Sequence, residues 1–198
     1  RTGDVINQRI VSLIGHDGLG RNSYFSIANR LMCNNQIRLI TSSGSESQFR
    51  VSHTKNWENQ HADASAGFRA AVDSSIGFQQ VAGDLNEMRM TPDEVEVFAR
   101  HLYKIHKQEI VSPQAVKRGE RLKELFVRGQ GNVGESRWDA LNAVTELLDH
   151  HSAKKTKKKV PGNRLLENRF VSNNLGGYGD SLKQRAMSLL LNKEVKFK

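Results

Sequence analysis

The chain has 198 residues and a mass of 22.3 kDa, which is enough for one domain with a proper hydrophobic core but short for two. Its 30 Lys and Arg residues outnumber 21 Asp and Glu residues, and the resulting formal charge of +9 and pI near 9.8 favour an anionic partner such as nucleic acid. No segment approaches the ~18 consecutive apolar residues of a membrane span, and no signal-peptide pattern is present, so we expect a soluble protein with no membrane partner.

The positive charge lies in the second half of the chain. Residues 1–100 hold 10 basic and 11 acidic side chains (net −1), whereas residues 101–198 hold 20 and 10 (net +10). The single cysteine, Cys33, cannot form an internal disulfide, which predicts a cytoplasmic protein. Because the chain starts at Arg1, without a methionine and close to a strand-like segment, we expect the natural protein to extend further upstream.

The first quarter of the chain has the pattern of antiparallel β-structure. Apolar-rich segments of strand length occur in VINQRIVSLI, YFSIANRL, QIRL and FRV, and Asp17-Gly18 suits the positive φ angles of a hairpin turn. Because successive side chains of a strand point to opposite faces, Ile37 and Leu39 should lie on the face opposite Arg38. We therefore predict one apolar face and one solvent-facing surface that displays Arg30, Arg38 and Arg50.

Helical periodicity begins at residues 59–90, which are rich in alanine. One helical face there carries Phe68, Val72, Ile76 and Gln79. Three glycines within the same stretch predict a break in the helix or the close approach of another backbone. These glycines are Gly67, Gly77 and Gly83.

Further helices follow, with recognisable start signals. In TPDE, Thr91 can cap, Pro92 fits the first helical position and Glu94 completes a capping box. SPQA at 112–115 repeats the cap-then-proline start, and RGQGNVGE at 128–135 has the composition of a loop. The expected buried stripes are Val95, Phe98, Leu102 and Ile105, then Trp138, Leu141, Val144, Thr145 and Leu148, and finally Leu182, Ala186, Leu189 and Leu190.

The order of the elements predicts an α+β fold, in which an antiparallel β-meander precedes a set of α-helices. We expect a single domain over 1–198 that lacks an N-terminal portion. Its expected parts are a β-meander (1–56), a helical part (57–151), a basic loop (152–169) and a C-terminal helix (170–198).

The sequence predicts neither a metal site nor a catalytic residue. His150 and His151 are adjacent and therefore lie about 100° apart on a helix, so they cannot easily share one ion. At a helix end they would instead face exposed carbonyls. Cys33 could act as a nucleophile with His16 or His53 as base, but LMCNN has no helix N-terminus to lower a thiol pKa. No complete phosphate-binding fingerprint is present, so no cofactor is expected.

The run of lysines in AKKTKKK is the strongest local anomaly. Lysines at this density repel one another, which favours an exposed loop that either solubilises the protein or binds phosphate without reading bases. Tyr24, Trp57 and Tyr178 could stack on unpaired bases. The predicted nucleic-acid-binding residues are Arg30, Arg38, Arg50, Lys55, Lys154, Lys155, Lys157, Lys158, Lys159, Arg164 and Arg169.

Four sequence blocks resemble the phage and plasmid-like proteins grouped as domain-of-unknown-function family 932. They are SLIGHDGLGRNSYFSIANRLMCNNQI, SHTKN, WDALNAVTELLDHH and GGYGDSLKQRAMSLL. The resemblance covers nearly the whole chain, although LLDHH replaces a tyrosine-containing ending and the lysine loop is unusually basic. It implies a mobile-element setting more than an activity. The matching motif residues are Cys33, Asn35, His53, Thr54, Trp138, Asn142, Glu146, Asp149 and His150.

These observations favour a non-enzymatic protein that binds or anneals single-stranded DNA during recombination or replication of a phage or plasmid. Such a protein would act in the host cytoplasm and could form a homo-oligomer. The alternative is a binding module that inhibits a host defence or replication protein, and an enzyme that uses Cys33 and His53 ranks third.

Overall fold

A computed structural model of the chain describes residues 5–13, 22–39, 48–51, 60–105, 113–151, 169–192 and 197. Within these ranges an antiparallel sheet is followed by α-helices, so the predicted α+β class is confirmed. The strands are β1 (Ile6–Leu13), β2 (Asn22–Arg30), β3 (Asn35–Arg38) and β4 (Gln48–Val51). The helices are α1 (Gln60–Glu87), α2 (Pro92–Leu102), α3 (Pro113–Arg128), α4 (Arg137–Glu146) and α5 (Tyr178–Leu191).

Strand β2 is the centre of the sheet. Its whole length pairs with β1, from Ile6 opposite Arg30 to Leu13 opposite Ser23. Its other edge is shared, because β3 pairs with residues 27–30 and β4 pairs with residues 22–25. Phe25 and Ala28 lie on opposite faces of β2, and both side chains are buried. The central strand is therefore buried on both faces, which leaves little of it for a solvent-facing surface.

Helix α1 is continuous over its 28 residues, so the predicted break is absent. An added Cβ at Gly77 or Gly83 would meet no atom within 4 Å, so neither glycine is required by close packing. The face that carries Val72 and Ile76 is exposed, and α1 packs instead through Phe78 and other residues of a different face. The alanine-rich composition correctly predicted a helix here, but which face of the helix is buried depends on where the sheet lies.

Local start signals place α2 and α4. The Thr91 side chain accepts a hydrogen bond from the backbone N–H of Glu94, and the Glu94 side chain accepts one from the backbone of Thr91, which confirms the predicted capping box. Ser136 and Asp139 form a second such box at the start of α4. The predicted start of α3 at Pro113 is also confirmed. These helices begin where short-range hydrogen bonding directs them to begin.

Helix α4 lies in the interior. Nine of its ten residues are buried, because α1, α3, α5 and β3 all pack against it. It continues into a π-helical turn, Leu147–His151, and residues 169–174 are also helical. The predicted stripes of α2 and α4 are buried, and in α5 Leu182, Ala186 and Leu190 are buried while Leu189 is partly so. One apolar cluster thus joins α1–α5 to the sheet.

Candidate functional site

Arg30, at the end of β2, is buried and only 3 % exposed. Its Nη2 donates to the Gly131 carbonyl oxygen at 2.7 Å and its Nη1 donates to Asn132 Oδ1 at 3.0 Å. The guanidinium carbon also lies 5.9 Å from the Trp138 ring centroid. Gly131 has φ +77°, and a Cβ there would collide with Met32 Sδ. Arg30 therefore clamps the loop after α3 to the sheet, and the prediction that it faces solvent is wrong.

Arg38 is also buried, and its Nε donates to Asp180 Oδ2 of α5 at 2.7 Å. Strand alternation does place Ile37 and Leu39 in the apolar cluster, as predicted. However, α5 lies against β3 and supplies a carboxylate for the arginine. The prediction that Arg38 lies on a solvent-facing surface is therefore wrong, because the sequence pattern fixes the face of a strand but not what covers it.

The outer edge of β3 is closed by side chains instead of another strand. The Gln36 N–H donates to Asp149 Oδ2 at 3.0 Å, and the Gln36 carbonyl oxygen accepts from Lys183 Nζ at 2.6 Å. The Arg38 carbonyl oxygen accepts from Gln184 Nε2 at 2.6 Å. An open strand edge invites pairing with another chain, so these contacts protect β3.

Lys183 has a fully buried side chain at this edge, as does Asp180. Besides Gln36, its Nζ donates to Asp149 Oδ1 at 2.7 Å and to Asn174 Oδ1 at 3.0 Å. Burial lowers the pKa of this ammonium, and the Asp149 carboxylate partly opposes that effect. All three ammonium protons thus have acceptors, as a structural lysine requires.

The other predicted contact residues are only partly described. Arg169 is partly buried and its Nη1 donates to the Asp149 carbonyl oxygen at 3.3 Å. For Arg50 the structure describes the backbone in β4 but not the side chain. The remaining predicted residues lie outside the described residues, and they are Lys55, Lys154, Lys155, Lys157, Lys158, Lys159 and Arg164. Their binding role therefore stays a prediction.

The motif residues of the β2–β3 turn and α4 adjoin one another. Asn35 Nδ2 donates to the Asn142 carbonyl oxygen at 3.2 Å, which ties β3 to the central helix. Asn35 is buried, and its Oδ1 has no hydrogen-bond partner among the described residues. Cys33 is buried too, and burial raises the pKa of its thiol despite the nearby Asn35 backbone and Arg30. This environment disfavours a thiolate nucleophile, while His53 and Thr54 lie outside the described residues.

The histidine pair is in the π-helical turn, and both side chains are exposed or nearly so. His151 Nε2 lies 3.5 Å from Glu146 Oε1, and Glu146 Oε2 also accepts from the Gln130 N–H at 3.2 Å. Among the described residues, no three His, Cys, Asp or Glu side chains are grouped closely enough to hold a metal ion.

A different surface carries positive charge without a carboxylate among the described residues that line it, and we call it the cationic cleft. It is a cavity of about 470 Å³ where the end of α2 meets the starts of α3 and α5. Its basic residues are Lys104, Arg118 and Arg185, and no Asp or Glu is among the described residues that line it. The described residues that line it are Leu102, Tyr103, Lys104, Ile105, Gln114, Ala115, Arg118, Tyr178, Ser181, Leu182 and Arg185.

Two tyrosines complete the cationic cleft. Tyr178 begins α5 and is 62 % exposed, so its ring is available for stacking. Tyr103 ends α2 and is partly buried, and burial raises the pKa of its hydroxyl to about 12 against the opposing effect of Arg118. Lys104 follows in the left-handed region, with φ +59°, which ends the helix and directs the chain away.

Sequence reasoning identified Tyr178 but missed the three basic residues of the cationic cleft. Lys104, Arg118 and Arg185 are spread over 82 positions and belong to no common motif. Two signals were available: the excess of basic residues after residue 100, and the block GGYGDSLKQRAMSLL, which contains both Tyr178 and Arg185.

Comparisons with known proteins give one match. A family model described as domain of unknown function (DUF932) matches residues 1–169. The match includes Lys104 and Arg118 but ends before Tyr178 and Arg185. No curated protein and no solved structure gives a significant match. None of the helices in the described ranges combines the length and the apolar character needed to cross a bilayer.

Proposed function

We propose that this chain, which belongs to the family described as domain of unknown function (DUF932), binds single-stranded nucleic acid through the cationic cleft. One observation carries the proposal: three cations and an exposed tyrosine share a cavity in which no carboxylate is found among the described lining residues. Cations that lack a protein counterion attract phosphate, and an exposed aromatic ring can stack on any base.

The cleft suits a single strand better than a duplex. Bases of a single strand are free to leave their neighbours and stack on a side chain, whereas the bases of a duplex are already stacked and paired. Tyr178 lies beside Ser181 and Arg185 on the first two turns of α5, so a stacked base would place its phosphate near a cation. The binding would depend on backbone charge and base stacking, and would therefore vary little with sequence.

The proposed binding is tested by fluorescence anisotropy with a labelled single-stranded oligonucleotide. Arg118→Gln should weaken binding and flatten the log–log salt dependence by about 0.7, the contribution of one phosphate contact to a single strand. Lys117→Gln is the matched control, because Lys117 is exposed on the same helix, does not line the cleft and loses the same charge. Absence of binding by the unaltered protein at low salt, or equal effects of both variants, would refute the proposal.

Stacking is tested at Tyr178. Tyr178→Ser should weaken binding by about 5- to 150-fold, since stacking on one base contributes roughly 1–3 kcal/mol. Tyr178→Phe keeps the ring and should retain most of the affinity. If the phenylalanine variant were as weak as the serine variant, the hydroxyl would matter and the stacking role would be wrong.

The wider setting expected from the sequence also stays a proposal. Annealing during recombination or replication, a phage or plasmid origin, a cytoplasmic location and assembly into a homo-oligomer are compatible with the cleft but are separate claims. The alternative function, inhibition of a host protein, has one supporting observation, because Val72 and Ile76 are 55 % and 67 % exposed and lie one turn apart on α1. The double variant Val72→Ser with Ile76→Ser tests it. If this variant no longer inhibits the host protein but binds nucleic acid normally, inhibition becomes the preferred function.

A further inference from the structure

The cationic cleft carries more positive charge than is needed to neutralise one internal phosphate of a strand. A phosphodiester carries one negative charge, whereas a terminal phosphate monoester carries about −1.5 to −2 at pH 7 and offers three acceptor oxygens. Lys104, Arg118 and Arg185 together provide three positive charges around one cavity. A doubly charged group would gain more from this arrangement than a singly charged group.

Two helix starts add to the same field. Gln114 and Ala115 belong to the first turn of α3, and Tyr178 and Ser181 belong to the first turns of α5. The N-terminal end of a helix carries partial positive charge and N–H groups without partners in the helix. Both starts line the cleft and therefore support the cations without being the basis of the site.

The C-terminal end of α2 carries partial negative charge, which would repel an anion, but one of its last carbonyl oxygens has hydrogen-bond donors. The His101 carbonyl oxygen accepts from Arg185 Nη2 at 2.9 Å and from the Lys104 N–H at 3.2 Å. Arg185 therefore neutralises the negative end of α2 with one nitrogen, while its other N–H groups can serve the cleft. Arg118 is exposed and makes no such hydrogen bond among the described contacts. Its replacement should therefore disturb the fold less than replacement of Arg185.

The tyrosines distinguish the end of a strand from its middle. The Tyr103 hydroxyl lines the cleft and, protonated at neutral pH like any tyrosine, can donate a hydrogen bond to an anion. Tyr178 lines the cleft and is largely exposed. The last base of a strand has one unstacked face, so the ring can pack on it without breaking an existing stack.

We propose that the cationic cleft holds the terminal phosphate monoester of a nucleic-acid strand, with Lys104, Arg118 and Arg185 around the phosphate and Tyr178 on the terminal base. This inference deepens the proposed function and rests on it. A volume of about 470 Å³ is within the usual range for a small-molecule site, roughly 300–1,000 Å³, and leaves room for one terminal nucleotide.

The test uses four forms of one single-stranded sequence: with a 5′-phosphate, with a 3′-phosphate, with hydroxyls at both ends, and as a circle without ends. Their binding is compared by competition against one labelled strand. A phosphorylated end should compete about 10-fold or more better than the hydroxyl and circular forms, which is the effect of an added charged hydrogen bond. The preferred arm identifies the 5′ or the 3′ end.

The ratio of the affinity for the phosphorylated strand to that for the hydroxyl strand should fall towards one in Arg118→Gln and stay unchanged in Lys117→Gln. If all four forms competed equally and binding still depended on Arg118, the cleft would not be specific for a terminal phosphate. The proposed function would still hold. A preference that persists unchanged in Arg118→Gln would also overturn the terminal-phosphate inference, because the phosphate would then lie elsewhere. Absence of binding to every form would refute the proposed function itself.

Discussion

Replacing Lys183 by methionine should cost a large part of the protein's stability. Methionine has a similar length and can pack among apolar neighbours, but it removes the ammonium that bonds Asp149, Asn174 and the Gln36 carbonyl at 2.6–3.0 Å. The lysine side chain is 0 % exposed and that of Asp149 is 10 % exposed, so water cannot replace the lost partner. Removing one member of a buried ion pair typically costs about 3–5 kcal/mol.

The lower part of that range is the better expectation. Without Lys183, Asp149 would still accept hydrogen bonds from the Gln36 N–H, at 3.0 Å, and from Asn173 Nδ2, at 3.2 Å. These two donors would partly stabilise its buried charge. We therefore expect a loss of about 3 kcal/mol, which is a substantial fraction of the roughly 5–15 kcal/mol of a typical domain. In the double variant Lys183→Met with Asp149→Asn, the total loss should be smaller than the sum of the single losses, because no unpaired charge is left.

The free energy of unfolding is measured by urea titration, followed by circular dichroism at one pH and salt concentration. Lys123→Met is the control, because Lys123 also contacts a carboxylate, Asp93, at 3.0 Å, but the two side chains are 38 % and 95 % exposed. An exposed pair contributes about 0–1 kcal/mol. A loss below about 1 kcal/mol for Lys183→Met, with an unchanged urea slope, would mean that burial does not decide the strength of this pair.

Three further predictions concern the tyrosine of the cleft, the cysteine and the lysine run. Burial raises the pKa of Tyr103 to about 12, so its contribution to stability is intact below pH 10 and is lost as the pH rises towards 12. At pH 11 the loss should be on the order of 1 kcal/mol, and urea unfolding of Tyr103→Phe should not show it. Cys33→Ser should leave nucleic-acid binding in an anisotropy titration unchanged, because the thiol is buried and its pKa is raised; lost binding in a folded variant would reopen a catalytic role. Replacing the five lysines of 154–159 by glutamine should flatten the log–log salt slope by about 2 to 3.5 for any single strand and barely alter stability, whereas an unchanged slope would make the run a solubilising segment.

Elements that depend only on near neighbours along the chain could be predicted from the amino-acid sequence. Thr91 and Glu94 fix the start of α2, because the hydrogen bonds of a capping box span three residues. Alternation likewise placed Ile37 and Leu39 in the core, since the period of a strand is two. The α+β class followed from the order of such elements, and the buried stripe of α2 followed from helical spacing, whereas α4 is buried on nearly all sides.

What each charged side chain faces depends on how distant parts of the chain pack together. Arg38 and Asp180 are 142 positions apart, and Arg30 contacts a loop about 100 positions away, so no local pattern could reveal that both arginines are buried. The cationic cleft likewise unites Lys104, Arg118 and Arg185 from three elements. Periodicity and capping act over a few residues along the chain, whereas the Coulomb energy and desolvation of a charge depend on distances in space, which packing alone sets.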